Sequence, residues 1–366
     1  PNIITPIHEV GVFPPLDDRI YEGNIQARVP IFNEGRTLMA TRTAKTNLAT
    51  TRAQHTEKIM GIMQNVSILY LKAYRLRDQQ QFVHRQLQAF RQRYYEVKMR
   101  VQEGRQSTNE LALLKSSLQG ASSDSLELSS QLQTVYIQLG QLLGRNNPVM
   151  PMQKSKLPVT IPQTLRLSLD EAVLSQTGPR LRQAKLQMKK SQTMATTAKL
   201  SFLPKLDGFA RYTYRTGENN WDPVGEWAAG VSVSIPLFNG GSRITKLKTA
   251  QAGAKAAAMH YQSAMQQQNA YLTDIYQRWQ SIHSQKQKLQ EAVQKKSYYV
   301  HSRQDLYKEG RLPLSSLLIQ ENELLDLQLE YKKKMYDEKE QIIRFYAILG
   351  QMNQQKIIHL LKGEAK

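Results

Sequence analysis

The sequence carries an internal duplication at a fixed offset. Val29-Pro30-Ile31-Phe32-Asn33-Glu34-Gly35 returns as Ile235-Pro236-Leu237-Phe238-Asn239-Gly240-Gly241. Glu103-Gly104-Arg105 returns as Glu309-Gly310-Arg311, and Leu143-Gly144 as Leu349-Gly350. From Pro30 to Pro236, from Gly104 to Gly310 and from Gly144 to Gly350 the offset is 206 residues each time. No insertion separates the copies between these landmarks, so one structural unit is expected twice. Each copy reads as a strand, a long helix, a Gly turn, a shorter helix and a Leu-Gly stop.

The first long helix is expected from about Arg36 to Val101, on the order of 100 Å at 1.5 Å per residue. Its apolar positions are Ile59, Ile62, Val66, Leu69, Ala73, Leu76, Val83, Leu87, Phe90, Tyr94, Val97 and Val101, stepping by three and four with a gap at Gln80. That is a heptad seam. The return helix keeps the rhythm at Leu111, Leu114, Leu118, Ala121, Ser125, Leu128, Leu132, Val135, Leu139 and Leu142. Joined at Gly104, the two should pack as an antiparallel hairpin. The second return helix holds its seam at Leu317, Leu324, Leu327 and Tyr331, then turns polar at Lys334 and Glu338. Pro and Gly gather near positions 1–35, 144–180 and 204–241, leaving the intervening stretches free to run as helices.

Ahead of each long helix lies a short alternating segment. In Asn24 to Phe32, Asn24, Gln26 and Arg28 alternate with Ile25, Ala27, Val29 and Ile31, and Val231 to Leu237 does the same. Two-residue alternation suits a strand with one apolar and one wet face. Ile3 to Phe13 and Leu206 to Tyr214 are their expected partners, across loops Pro14 to Glu22 and Thr216 to Glu226. Four strands of about ten residues match the length of tilted membrane strands, yet a closed barrel needs about eight. Three copies would supply twelve. The alternative is a pair of solvent-facing hairpins packed on helices.

The chain holds 50 Lys and Arg against 30 Asp and Glu, a formal charge of +20. Such a charge suits nucleic acid, but the cations are scattered among Gln and Glu without a dense block, as on a solvated helix face. There is no Cys, so disulfides and thiolate metal sites are unavailable. No apolar run approaches the roughly 18 to 20 residues of a spanning helix, so any membrane crossing falls to a β-barrel. The seven histidines include no pair three or four apart, and neither a phosphate loop nor a Gly-x-Ser-x-Gly elbow occurs. Asp17-Asp18 and Asp170-Glu171 suit a solvated loop or a helix N-terminus better than acid-base chemistry. No enzyme and no cofactor are expected.

Leu167-Ser168-Leu169-Asp170-Glu171-Ala172-Val173, followed by Gly178-Pro179-Arg180-Leu181, resembles the repeat start of the TolC-like outer-membrane efflux family. Phe202-Leu203-Pro204-Lys205-Leu206 is similar to that family's helix-to-strand junction, and Pro236 to Gly241 to its strand-to-helix junction. The resemblance implies a mainly α tandem-repeat protomer with a small β part: an α-barrel of long antiparallel coiled-coil helices, and four strands contributing to a trimeric 12-stranded transmembrane β-barrel. It implies a first β-hairpin at 1–34, a helical hairpin at 35–145, an equatorial linker at 146–178 and a leading helix at 179–203. A second β-hairpin at 204–239, a second helical hairpin at 240–350 and an equatorial tail at 351–366 complete the plan. Pro1-Asn2-Ile3 aligns with Pro204-Lys205-Leu206, so the first copy is expected to lack its leading helix, with signal peptide and any lipid anchor upstream.

The implied function is a passive exit duct for efflux or secretion in the Gram-negative outer membrane, extending into the periplasm. The partners are two further copies, a periplasmic adaptor, an inner-membrane pump and outer-membrane lipid, without nucleic acid. The alternatives are a periplasmic or structural coiled-coil protein without pore activity, and a basic nucleic-acid-binding rod. The adaptor would dock at the hairpin tips, Glu103, Gly104 and Arg105 and Glu309, Gly310 and Arg311; the plainer reading is that these glycines end helices. Tyr307 and Glu110 match gate residues of the family, whereas its acidic pore rings give way to Ser316 and Ile319. Arg100, Arg105, Lys308 and Arg311 make this end basic, so an apolar and basic constriction that disfavours cations is expected. Pro30 and Pro236 should end regular strand pairing, with Gly35, Gly240 and Gly241 swinging the backbone into helix. Tyr212, Tyr214, Trp221 and Trp227 would form an aromatic belt.

Overall fold

A computed structural model describes residues 20–151, 178–217 and 224–352. The elements run β1 (Ile20–Asn33), α1 (Arg36–Gln102), α2 (Thr108–Leu142), α3 (Pro179–Leu200), β2 (Lys205–Gly217), β3 (Val224–Ser234), α4 (Ser242–Lys308) and α5 (Leu314–Ile348). α1 and α4 each have 67 residues, and α2 and α5 each have 35, so the copies match helix for helix. The expected strand Ile3 to Phe13, the repeat start Leu167 to Val173, Trp221 and most of the tail lie outside the described residues.

The chain divides into two units, Pro1–Ala49 with Leu186–Met259, and Thr50–Lys185 with His260–Lys366. The first holds the sheet. Its order is β1-β2-β3, both pairs antiparallel. β1 therefore pairs with a strand of the other repeat copy. Strands overrun their alternating cores: β1 starts at Ile20 inside the expected loop, and β3 starts at Val224 and stops at Ser234, short of Leu237. The β1–β2 ladder supports the early residues of β1 through Tyr21↔Thr216 and Glu22↔Arg215, with Arg215 3.0 Å from Glu22. Pro30 leaves the strand intact but shifts its register between Pro30 and Phe32, as expected where a ladder donor is missing.

The second unit is built on helix seams. Val83, Leu87, Phe90 and Val97 of α1 pack with Leu114 and Ala121 of α2 and with Leu314 and Leu318 of α5. Further along, Ala73 and Leu76 meet Leu132, Val135 and Leu139 of α2. Over the same stretch Leu71 and Tyr74 meet Tyr336, Ile343 and Ala347 of α5. α1 thus buries two faces there, one for each neighbour, and a single heptad seam accounts for only the first. Ile62, placed on that seam by spacing, stays 51% exposed.

Candidate functional site

Each helical hairpin turns through the same cap. The N–H of Gly104 donates to the Val101 carbonyl at 3.0 Å and that of Arg105 to the Arg100 carbonyl at 2.8 Å. Gly310 and Arg311 repeat this on Tyr307 and Leu306, at 3.0 and 2.9 Å. These paired bonds form the Schellman arrangement, which needs a left-handed residue at the turn. Gly104 and Gly310 supply it, with φ of 70° and 73°. A Cβ at either would meet nothing within 4 Å, so the requirement is conformational rather than steric. The helix-ending role of these glycines is real, and it leaves open space beside the turn.

The charges at the tips are locally matched. Arg105 lies 3.2 Å from Glu103 and Arg311 3.1 Å from Glu309, an ion pair repeated in both copies. Lys308 lies 3.2 Å from Asp305. Arg100 sits exposed in the last turn of α1. Glu110, in the first turn of α2, accepts a hydrogen bond from Gln106 at 2.5 Å, not from the Tyr307 phenol. Tyr307 instead packs against the Val83–Leu318 cluster, with the Arg93 guanidinium 5.7 Å from its ring centre. Ser316 is half-buried on α5, and Ile319 is 55% exposed beside it.

Polar junctions tie α5 to its neighbours both across and within the repeat copies, and sequence reasoning placed none of them. Arg93 of α1 forks onto Glu321 of α5 at 2.6 and 3.0 Å, and Gln304 of α4 donates to the same carboxylate at 2.8 Å. Burial opposes the Arg93 charge, but Glu321 outweighs it and pushes the guanidinium pKa up. The second junction centres on Glu338, 1% exposed, which takes His283 Nδ1 and Lys286 Nζ at 2.6 Å each. Nearby, Asp78 of α1 accepts from Lys332 and from the Tyr336 hydroxyl, both at 3.1 Å. Burial pushes the Lys339 ammonium pKa down. The break in the seam at Glu338 was the available signal, since its repeat partner 206 residues earlier is Leu132.

The sheet has two chemically distinct faces. Direct cross-strand neighbours share a face, and the rows Ile25–Tyr212–Trp227, Ala27–Ala210–Ala229 and Val29–Gly208–Val231 are apolar. The alternate rows, such as Asn24–Thr213–Glu226 and Gln26–Arg211–Ala228, carry the polar groups. Ile25 is 78% and Trp227 80% exposed. Tyr212, Tyr214 and Trp227 fall on the apolar face, towards the sheet end away from the helices.

At the helix end, Gly35, Gly240 and Gly241 have φ of 70°, 63° and 77°. Glu34 holds the same left-handed conformation, φ 59°, where its repeat partner is Gly240. Its carboxylate is fully buried, 2.7 Å from Arg36 and 3.9 Å from Lys205. Among the described residues no group of His, Cys, Asp and Glu could hold a metal ion, and no helix is long and apolar enough to cross a membrane.

Tandem long helical hairpins and a small antiparallel sheet with one exposed apolar face set the class of fold. The sequence matches the outer membrane efflux protein family over residues 16–145 and 173–351, and the chain belongs to that family. Solved structures of the same fold include the outer membrane protein VceC from Vibrio cholerae, with a TM-score of 0.73 at 16% identity, covering 91% of this chain and 87% of that one. CusC, described in connection with transmembrane channel formation, gives a TM-score of 0.79 at 18% identity over 91% of this chain and 78% of that one. The open state of the MtrE outer membrane channel from Neisseria gonorrhoeae gives 0.74 at 16%, covering 96% and 82%. No curated protein sequence matches significantly. The chain is thus an outer-membrane efflux protein extending into the periplasm, in a family of channels rather than enzymes.

Proposed function

We propose that three copies of this chain form a passive exit duct, with energy supplied by an inner-membrane pump through a periplasmic adaptor. The observation that carries this reading is the sheet. A lone protomer leaves Ile25, Val29, Trp227, Val231 and Val233 each at least 60% exposed on one face. Its described strands β1 and β3 both end the hydrogen-bonded order. An apolar face of that kind is stable against lipid, and edge strands are satisfied there only by closure with other strands. With the strand expected from the sequence at Ile3 to Phe13, four strands per chain would give twelve in a trimer.

In this reading the adaptor meets the tips at Glu103, Gly104 and Arg105 and at Glu309, Gly310 and Arg311, where the glycines leave room for an approaching backbone. The closed end narrows near Ser316 and Ile319, with Glu110, Tyr307, Arg100 and Lys308 around it. Ile319 makes the constriction apolar, and the matched tip ion pairs reduce the field of the arginines there. Tyr212, Tyr214 and Trp227 sit at a lipid boundary, and Pro30, Gly35, Pro236, Gly240 and Gly241 turn barrel strands into helices. Chemical cross-linking in intact outer membranes tests the assembly. The expected ladder stops at three copies; a ladder that stops at one or two contradicts it.

A further inference from the structure

The helix segments nearest the sheet lack acidic residues. Within the sheet-bearing unit, residues 36–49, 186–200 and 242–259 contain ten Lys and Arg and no Asp or Glu. Three helix ends meet one end of the sheet, because Asn33 pairs with Lys205 and Lys205 with Ser234. α1 starts after the first of these residues, α3 ends before the second, and α4 follows the third. Among the described residues the buried acid at that end, Glu34, is taken by Arg36 and Lys205. Among the described residues Lys199, Lys246 and Lys248 pair with no carboxylate, and all three are exposed.

Exposed apolar residues flank these cations along the chain. Leu237 is 94% and Phe238 87% exposed, and Phe202 and Leu203 are 43% and 40% exposed. Arg243 bridges the two chemistries. Its guanidinium stands 5.9 Å from the Phe202 ring centre, and its Nη1 donates to the Pro236 carbonyl at 3.1 Å. In the first copy the equivalents of Arg243 and Lys246 are Thr37 and Ala40, whereas that of Lys248 is Arg42, so two of these three α4 charges belong to the second copy alone. Lys246 and Lys248 stand about 6 to 9 Å along α4 from its start. A headgroup layer is roughly 5 to 8 Å thick per leaflet.

We propose that these residues bind the anionic phospholipid headgroups of the periplasmic leaflet. Leu237, Phe238, Phe202 and Leu203 enter the acyl boundary while Lys199, Arg243, Lys246 and Lys248 reach phosphate oxygens. Long cationic side chains beside interfacial aromatics suit that division, with apolar stems in the boundary and charged heads in the headgroups. A purely lumenal role for the cations gives no use to the exposed apolar residues. The proposal rests on the barrel reading, which fixes the apolar sheet face in the hydrocarbon.

The test uses the full-length chain in bilayer discs of equal phosphatidylglycerol and phosphatidylcholine. Lipid retained through mild delipidation is read by mass spectrometry, and single-channel conductance is read in parallel. Wild type should retain phosphatidylglycerol preferentially. Lys199→Gln/Lys246→Gln/Lys248→Gln should lose that preference by about fivefold per charge removed, with conductance unchanged. Lys255→Gln, about 20 Å along α4, should keep it. Normal conductance with equal retention of both lipids by wild type overturns the headgroup proposal alone. A triple variant that changes anion–cation selectivity but not lipid retention also overturns it, placing the cations in the lumen. A chain without conductance overturns the barrel reading and this proposal together.

Discussion

Arg93 and Glu321 face each other across the two repeat copies as a forked ion pair, with each side chain only 14% exposed. Neither has a counterpart in the other copy, where positions 299 and 115 are Tyr299 and Lys115. The pair therefore joins α1 to α5 in one direction only. Glu321→Gln or Arg93→Gln should each destabilise the protomer by about 3 kcal/mol, because either leaves a largely buried charge unmatched. The double variant should cost less than the sum of the singles. Denaturant unfolding of the three variants checks this, and additive losses would remove the pair from the account.

The Glu338 junction should behave as a buried charge does. Glu338→Ala strands Lys286 and is expected to cost about 3 to 5 kcal/mol. Replacing Glu338, His283 and Lys286 together by Leu, Leu and Met should bring stability back to within about 2 kcal/mol of wild type. Leu132 shows that the equivalent place in the first copy works with an apolar side chain. Thermal unfolding of both variants reads the difference.

Left-handed glycines at the strand-to-helix junctions differ in their surroundings. A Cβ on Gly241 would meet nothing within 4 Å, whereas one on Gly35 would come 3.3 Å from Leu200 Cδ1. Gly241→Ala should then cost about 1 to 2 kcal/mol from backbone strain alone. Gly35→Ala should cost more, and trimming Leu200 to Ala in that background should recover part of the excess. Comparison of denaturation midpoints for the three variants decides it.

Glu57 gives a pH dependence of known sign. Burial alone would raise its pKa, but the hydrogen bonds from Arg180 and Gln183 outweigh burial and hold it below the ordinary 4.5. A depressed carboxyl contributes stability that is present above 4.5 and lost as pH falls through the folded-state value. Arg180→Gln should be less stable than wild type at pH 7, with the deficit closing below pH 4.5. Parallel unfolding curves at the two pH values provide the reading.

Much of the fold was legible in the sequence because it follows from repetition and period. The constant offset fixed the number of helices, and Gly104 and Gly310 fixed where they turn. Strand alternation located Ile25, Val29, Val231 and Val233 on one face. The cross-copy contacts were hidden for a physical reason: a heptad seam encodes the partner within one hairpin, whereas Leu71, Tyr74 and Asp78 face a helix more than two hundred residues away. Arg93 and Glu321 likewise read as ordinary solvated charges until α1 and α5 are seen side by side. The pairing of β1 with β2 was also out of reach, since alternation names a face and not a neighbour. Tyr307 and Glu110 were linked by resemblance, while Arg93 and Gln106 compete for them locally.

The central claim is that one protomer cannot seal its own sheet and completes it with two others. The most direct measurement is the mass of the detergent-solubilised full-length protein, with conductance recorded from the same preparation in a planar bilayer. The account predicts three chains per particle and large, stable conductance steps. A monodisperse single chain in plain buffer that forms no pores would contradict it.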